Sequence, residues 1–81
     1  MSNSSQEPIR ARASLLTTRE REILGLVACG ESSAAIARQL GLAESTIKTH
    51  LANIYRKTGA RNRVQATRFY LGHYGEASDR E

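Results

Sequence analysis

Residues 32–59 read SSAAIARQLGLAESTIKTHLANIYRKTG. Two helices with very little between them are written in this stretch. Ser32 is a suitable cap for a helix over 33–40, with Ile36, Ala37 and Leu40 on one face and Gly41 free to take the left-handed turn that ends it. A second helix spans 44–58 and stops at Gly59. Its apolar stripe is Ile47, Leu51 and Ile54, with Thr58 at the end of the same row. Only Gly41, Leu42 and Ala43 separate the two. Helices that meet across so short a glycine-containing turn make the helix-turn-helix pattern, which many proteins use without touching nucleic acid.

The outward face of the 44–58 helix sharpens the reading. Ser45, Lys48, Thr49, Ala52, Asn53 and Arg56 lie there, and none is acidic. Short residues allow close approach, amides and hydroxyls match base edges, and cations meet phosphates, which is what a helix entering a major groove needs. An ordinary solvated helix face more often mixes glutamate with lysine.

Two further helices frame this pair. Upstream, Thr17 stands three residues before Glu20, a capping box that opens a helix over 18–29 with Ile23, Leu24, Val27 and Ala28 on one face and Gly30 at its end. Downstream, Asn62 caps a helix over 63–74, with Gln65 three positions on. Four helices with short links and no strand pattern give an all-α domain over 15–75. Residues 1–14, with their Ser, Asn and Pro, and residues 76–81 read as disordered tails.

The 81-residue length fits one small domain, burying about 60–65 % of the surface of its unfolded chain. It leaves little room for a two-domain cleft. Charge is concentrated in the second half. Residues 44–75 hold Lys48, Arg56, Lys57, Arg61, Arg63 and Arg68 against Glu44 alone, a net +5, whereas 17–43 are neutral and the last six residues carry −2. Such a field is the footprint of a phosphate-binding surface. No apolar run approaches the roughly 20 residues of a membrane helix, and the first fifteen residues carry no secretory leader. The single Cys29 rules out an internal disulfide and reads as a small buried group. His50 and His73 are far apart in sequence with no cysteine pair, so no metal or cofactor is expected. Glu20 and Glu22 suit a helix first turn rather than a catalytic pair, and no enzyme chemistry is expected. A reducing cytoplasm fits the whole.

Three blocks, LTTREREIL from Leu16, IARQLGLAESTIKTHLANIYRK from Ile36 and NRVQA from Asn62, resemble the LuxR/NarL-type (GerE-like) helix-turn-helix regulators of bacteria. The resemblance runs from Leu16 to about Gly72. Region 4 of sigma factors shares the first two rhythms but lacks the NRVQA helix. The resemblance implies a four-helix DNA-binding domain of a transcription regulator, with 44–58 as recognition helix. It places base contacts at Lys48, Thr49 and Ala52. Ser45, Asn53 and Arg56 lie on the same side. Ser32 and Ser33 are placed at a phosphate on the 33–40 helix start, and Asn62 and Arg63 near backbone phosphate. It also implies a homodimer through the fourth helix, weak without DNA because two Arg68 side chains meet near the axis, on a roughly palindromic operator. RNA polymerase is a further partner that such a regulator engages. A stand-alone regulator and the effector domain of a longer one both fit.

This chain departs from the family pattern at five positions. Ala43 replaces the usual Ser or Thr cap of the recognition helix. Ala34 and Ala35 replace polar residues, Ala52 is short where some members carry a cation, and Thr58 replaces a leucine. The reading from another class, a helix-turn-helix kept as a protein-docking surface, is disfavoured by the face without acids.

Overall fold

The computed structural model describes residues 15–75, so the tails expected over 1–14 and 76–81 lie outside the described residues. Four α-helices follow in order: α1 (Thr18–Ala28), α2 (Ser33–Leu40), α3 (Glu44–Thr58) and α4 (Arg63–Tyr70). No strand occurs among the described residues.

The helix starts obey their capping residues. At α1 the Thr17 hydroxyl accepts the Glu20 amide at 3.0 Å, and the Glu20 carboxylate accepts the Thr17 amide at 2.9 Å, the complete capping box. At α2 the Ser32 hydroxyl accepts the Ala35 amide at 3.1 Å. Helix α3 starts at Ala43 with no side-chain cap. At α4 Asn62 Oδ1 accepts the Gln65 amide at 2.9 Å, and Gln65 Oε1 accepts from Arg61 N at 2.7 Å, one residue before the cap.

Glycine closes the turn between α2 and α3. Gly41 has φ 70°, a left-handed conformation that few other residues adopt without strain, and Leu42 N donates to Ala37 O at 2.9 Å. Gly30 and Gly59 likewise have positive φ.

Helix α1 is the hub, packing on α4, α3 and α2, while α2 packs mainly on α3. The core unites Leu16, Ile23, Leu24 and Val27 with Ile36 and Ala37 of α2, Ile47, Leu51 and Ile54 of α3, and Ala66 of α4. The stripes read from helical spacing are the buried ones, except that Ala28 and Leu40 are only half-buried. Gly25 in mid-α1 allows a close approach: a Cβ there would stand 3.1 Å from the Tyr70 hydroxyl of α4.

Two expectations are corrected. The helix expected over 63–74 is α-helical only to Tyr70 and continues as one π turn, Leu71–Gly75. Gly72 and Gly75 weaken the α-helix there. Beside the wider turn, Tyr70 and Tyr74 keep their rings 5.0 Å apart, and the Arg21 guanidinium lies 5.6 Å from the Tyr74 ring. Cys29, expected to be buried, is exposed at the C-cap of α1, because the apolar face ends at Val27. Thr58 is buried at 5 % exposure, and its hydroxyl accepts the Ala60 amide at 3.2 Å, so the residue that departs from leucine helps close the turn after α3.

Candidate nucleic-acid interface

Burial of Ile47, Leu51 and Ile54 fixes the rotation of α3, and this rotation exposes its other side. Ser45, Lys48, Thr49, Ala52 and Arg56 are exposed, and Asn53 is half-buried. The six residues chosen from helical spacing therefore share one outward face. Glu44 corrects the picture of a face without acids: it is exposed, and its Oε2 lies 3.7 Å from Lys48 Nζ one turn along the helix. The i, i+4 spacing of Glu44 and Lys48 carries that signal in the sequence. Thr46, also exposed beside the face, was not singled out there.

The polar groups of the face are partly engaged with one another. The Thr49 hydroxyl donates to Ser45 O at 3.2 Å. Arg56 Nη2 donates to Asn53 Oδ1 at 2.8 Å, leaving the Asn53 amide nitrogen and the rest of the guanidinium available.

The flanking candidates divide. Ser32 is exposed, and Ser33 is half-buried in the first turn of α2. Asn62 is exposed with its Oδ1 engaged at the cap of α4. Arg63 is half-buried, and its Nη2 donates to Glu31 O, tying the start of α4 to the loop before α2. Two candidate sites, the α2 start and the α4 start, are thus held together by an arginine.

Lys57 belongs to none of these surfaces. Its Nζ lies 2.8 Å from Oε1 of Glu20, which is only 4 % exposed. Burial alone would raise the Glu20 pKa. The bond to Lys57, the Thr17 amide, the lysine's charge and the Thr17 hydroxyl outweigh it and hold the carboxyl below its ordinary value. The capping residue of α1 is thereby fastened to the last turn of α3. The two residues are 37 apart in sequence, and no local spacing announces the pair.

Among the described residues no three His, Cys, Asp or Glu side chains gather as a metal site requires, and no helix is long and apolar enough to cross a membrane.

Residues 14–70 match the model of the luxR family of bacterial regulatory proteins. The chain belongs to the LuxR family. The family's helix-turn-helix is a DNA-binding module of transcription regulators, not an enzyme, and here its turn is Gly41–Ala43 with α3 following. Similar proteins include the probable transcriptional regulatory protein NarL of Mycobacterium tuberculosis, 47 % identical over 62 residues, which are 72 % of this chain and 29 % of that protein. The monoamine regulon transcriptional regulator of Klebsiella aerogenes is 53 % identical over 51 residues, 63 % of this chain and 22 % of its own. The HTH-type transcriptional regulator MalT of Yersinia pestis is 46 % identical over 61 residues, 75 % of this chain but 7 % of its own. The LuxR-family chain thus spans less than a third of the length of each of these relatives.

Proposed function

We propose that residues 15–75, flanked by the tails 1–14 and 76–81, form a sequence-specific binder of duplex DNA that regulates transcription in the bacterial cytoplasm, on the nucleoid, with α3 in the major groove. The observation that supports this most is the exposed outer face of α3, where Ser45, Lys48, Thr49, Ala52 and Arg56 point away from the core beside Asn53. Lys48, Thr49 and Ala52 meet base edges. Ser45, Asn53 and Arg56 meet bases or phosphate. Ser32 and Ser33 at the α2 start, and Asn62 with the free N–H groups of Arg63, hold backbone phosphates. RNA polymerase is the further partner of the assembled regulator.

A homodimer through α4 on a roughly palindromic operator accompanies this reading. On α4 Ala66 is buried, whereas Val64 and, in the turn after it, Leu71 are more than half exposed, with Arg68 exposed between them. A shallow groove of about 400 Å³ runs beside Val64, between α1 and α4. A twofold copy is the simplest cover for such a stripe. Facing Arg68 side chains keep the pair weak until adjacent half-sites bring it together.

In-vitro selection from a random duplex pool, followed by gel-shift stoichiometry and sedimentation of the free protein, tests both parts. Two protomers are expected on a selected full site, with largely monomeric protein in its absence. One protomer on a saturated full site overturns the dimer. Arg56, Arg61 and Arg63 supply about six phosphate-facing cations per dimer, so log affinity falls against log salt with a slope near −5, at about −0.9 per contact. A slope shallower than about −2 overturns the DNA reading in favour of a protein partner.

A further inference from the structure

Resting on the DNA-binding reading above, we infer that Thr49 and Ala52 together form an apolar contact for the C5-methyl group of a thymine. The two residues are i, i+3 neighbours on the exposed face of α3, close enough to make one patch. Ala52 offers only a methyl group. Thr49 offers a methyl group and a hydroxyl whose proton is already donated to Ser45 O at 3.2 Å. It has no proton left for an acceptor on a base edge.

The neighbouring groups narrow the choice. Asn53, the residue type that reads adenine, is half-buried at the edge of the face and shares its Oδ1 with Arg56 at 2.8 Å, so it does not stand between Thr49 and Ala52. The middle of the face is therefore apolar, bordered by the Lys48 ammonium and the Arg56 guanidinium. In the major groove each base pair shows a different pattern, and thymine alone shows a methyl group. An apolar patch of two methyl groups on a groove-facing helix selects that feature and is indifferent to the hydrogen-bonding edges of the other bases.

The probe is the duplex recovered by selection, remade with deoxyuridine in place of each thymine in turn, which removes only the C5-methyl. One position in each half-site is expected to lose about fourfold in affinity, the effect of unburying one methyl group. The ratio of thymine to uracil affinity at that position is then measured for two variants. Thr49→Val keeps the methyl group and should keep the ratio. Thr49→Ser removes it and should lower the ratio towards twofold, with Ala52 supplying the remainder. A tightly bound duplex that tolerates uracil at every position overturns the thymine contact while leaving the DNA reading intact. So does a ratio kept by Thr49→Ser and lost by Thr49→Val, which would assign the contact to the hydroxyl. Failure to recover any duplex above the random pool overturns the DNA reading itself, and the contact with it.

Discussion

Lys48 and Lys57 lie nine residues apart on α3, and each meets a glutamate, yet the two pairs have nothing else in common. Nine residues are about two and a half turns, so the lysines leave the helix on opposite sides. Lys48 reaches Glu44 across open surface at 3.7 Å, with two-thirds of its side chain in solvent. Such an i, i+4 pair contributes a few tenths of a kcal/mol and gives way readily to another anion. Lys57 reaches Glu20 at 2.8 Å, with its partner's side chain only 6 % exposed, and joins two helices that are distant in sequence. Net charge does not distinguish them. Burial does, and it divides the basic residues of α3 into those free to meet a phosphate and one committed to the fold.

The largest effect that can break this contrast is on stability. Lys57→Met leaves the Glu20 carboxylate buried without its cation, and should cost about 2–3 kcal/mol in a urea melt. This is below the full range for a buried pair because Lys57 keeps about a quarter of its side chain in solvent. Lys48→Met should stay within about 0.5 kcal/mol of the parent. Equal losses in the two variants would erase the distinction.

Next in size is a pH effect with a definite sign. The Glu20 pKa is lower in the folded chain than in the unfolded one. Its contribution is therefore complete above the unfolded value, about 4.3, and is lost as the pH falls through the lower folded value. The melting temperature should drop over this acid window, and Glu20→Gln, less stable at neutral pH, should show a shallower drop. Parallel curves for the two proteins would remove Glu20 from the account.

A smaller change acts at the other end of α3, where no side chain caps the helix. Ala43→Ser should add about 1 kcal/mol. It should do so equally in the parent and in the Lys57→Met background, because the two ends of α3 are independent. A gain confined to one background would mean that the ends are coupled.

These contrasts also mark what could be read from the sequence. The bounds of α2 and α3 follow from Ser32, Gly41 and Gly59, since capping and left-handed turns are local chemistry. The rotation of α3, and with it the outward face, follows from Ile47, Leu51 and Ile54. The Glu20–Lys57 bond does not, because Glu20 is fully explained by its capping box with Thr17, and Lys57 looks like one more basic residue in a basic half. The Arg63 bond to Glu31 O was hidden in the same way, since a backbone carbonyl leaves no mark in a sequence. The π turn after Tyr70 depends on how the helix end meets its neighbours rather than on spacing, whereas the exposure of Cys29 follows from the apolar face of α1 stopping at Val27.

The central claim is that α3 turns its Lys48 side to DNA and its Lys57 side to the fold. Chemical-shift mapping of the isotope-labelled protein, titrated with a selected duplex and observed at both backbone amides and lysine ammonium groups, tests it most directly. The account predicts the largest changes at Ser45, Lys48, Thr49, Ala52 and Arg56, with the Lys57 ammonium unmoved. Changes at Lys57 and Glu20 as large as those at Lys48, or changes centred on the outer side of α1 while α3 stays silent, would contradict it.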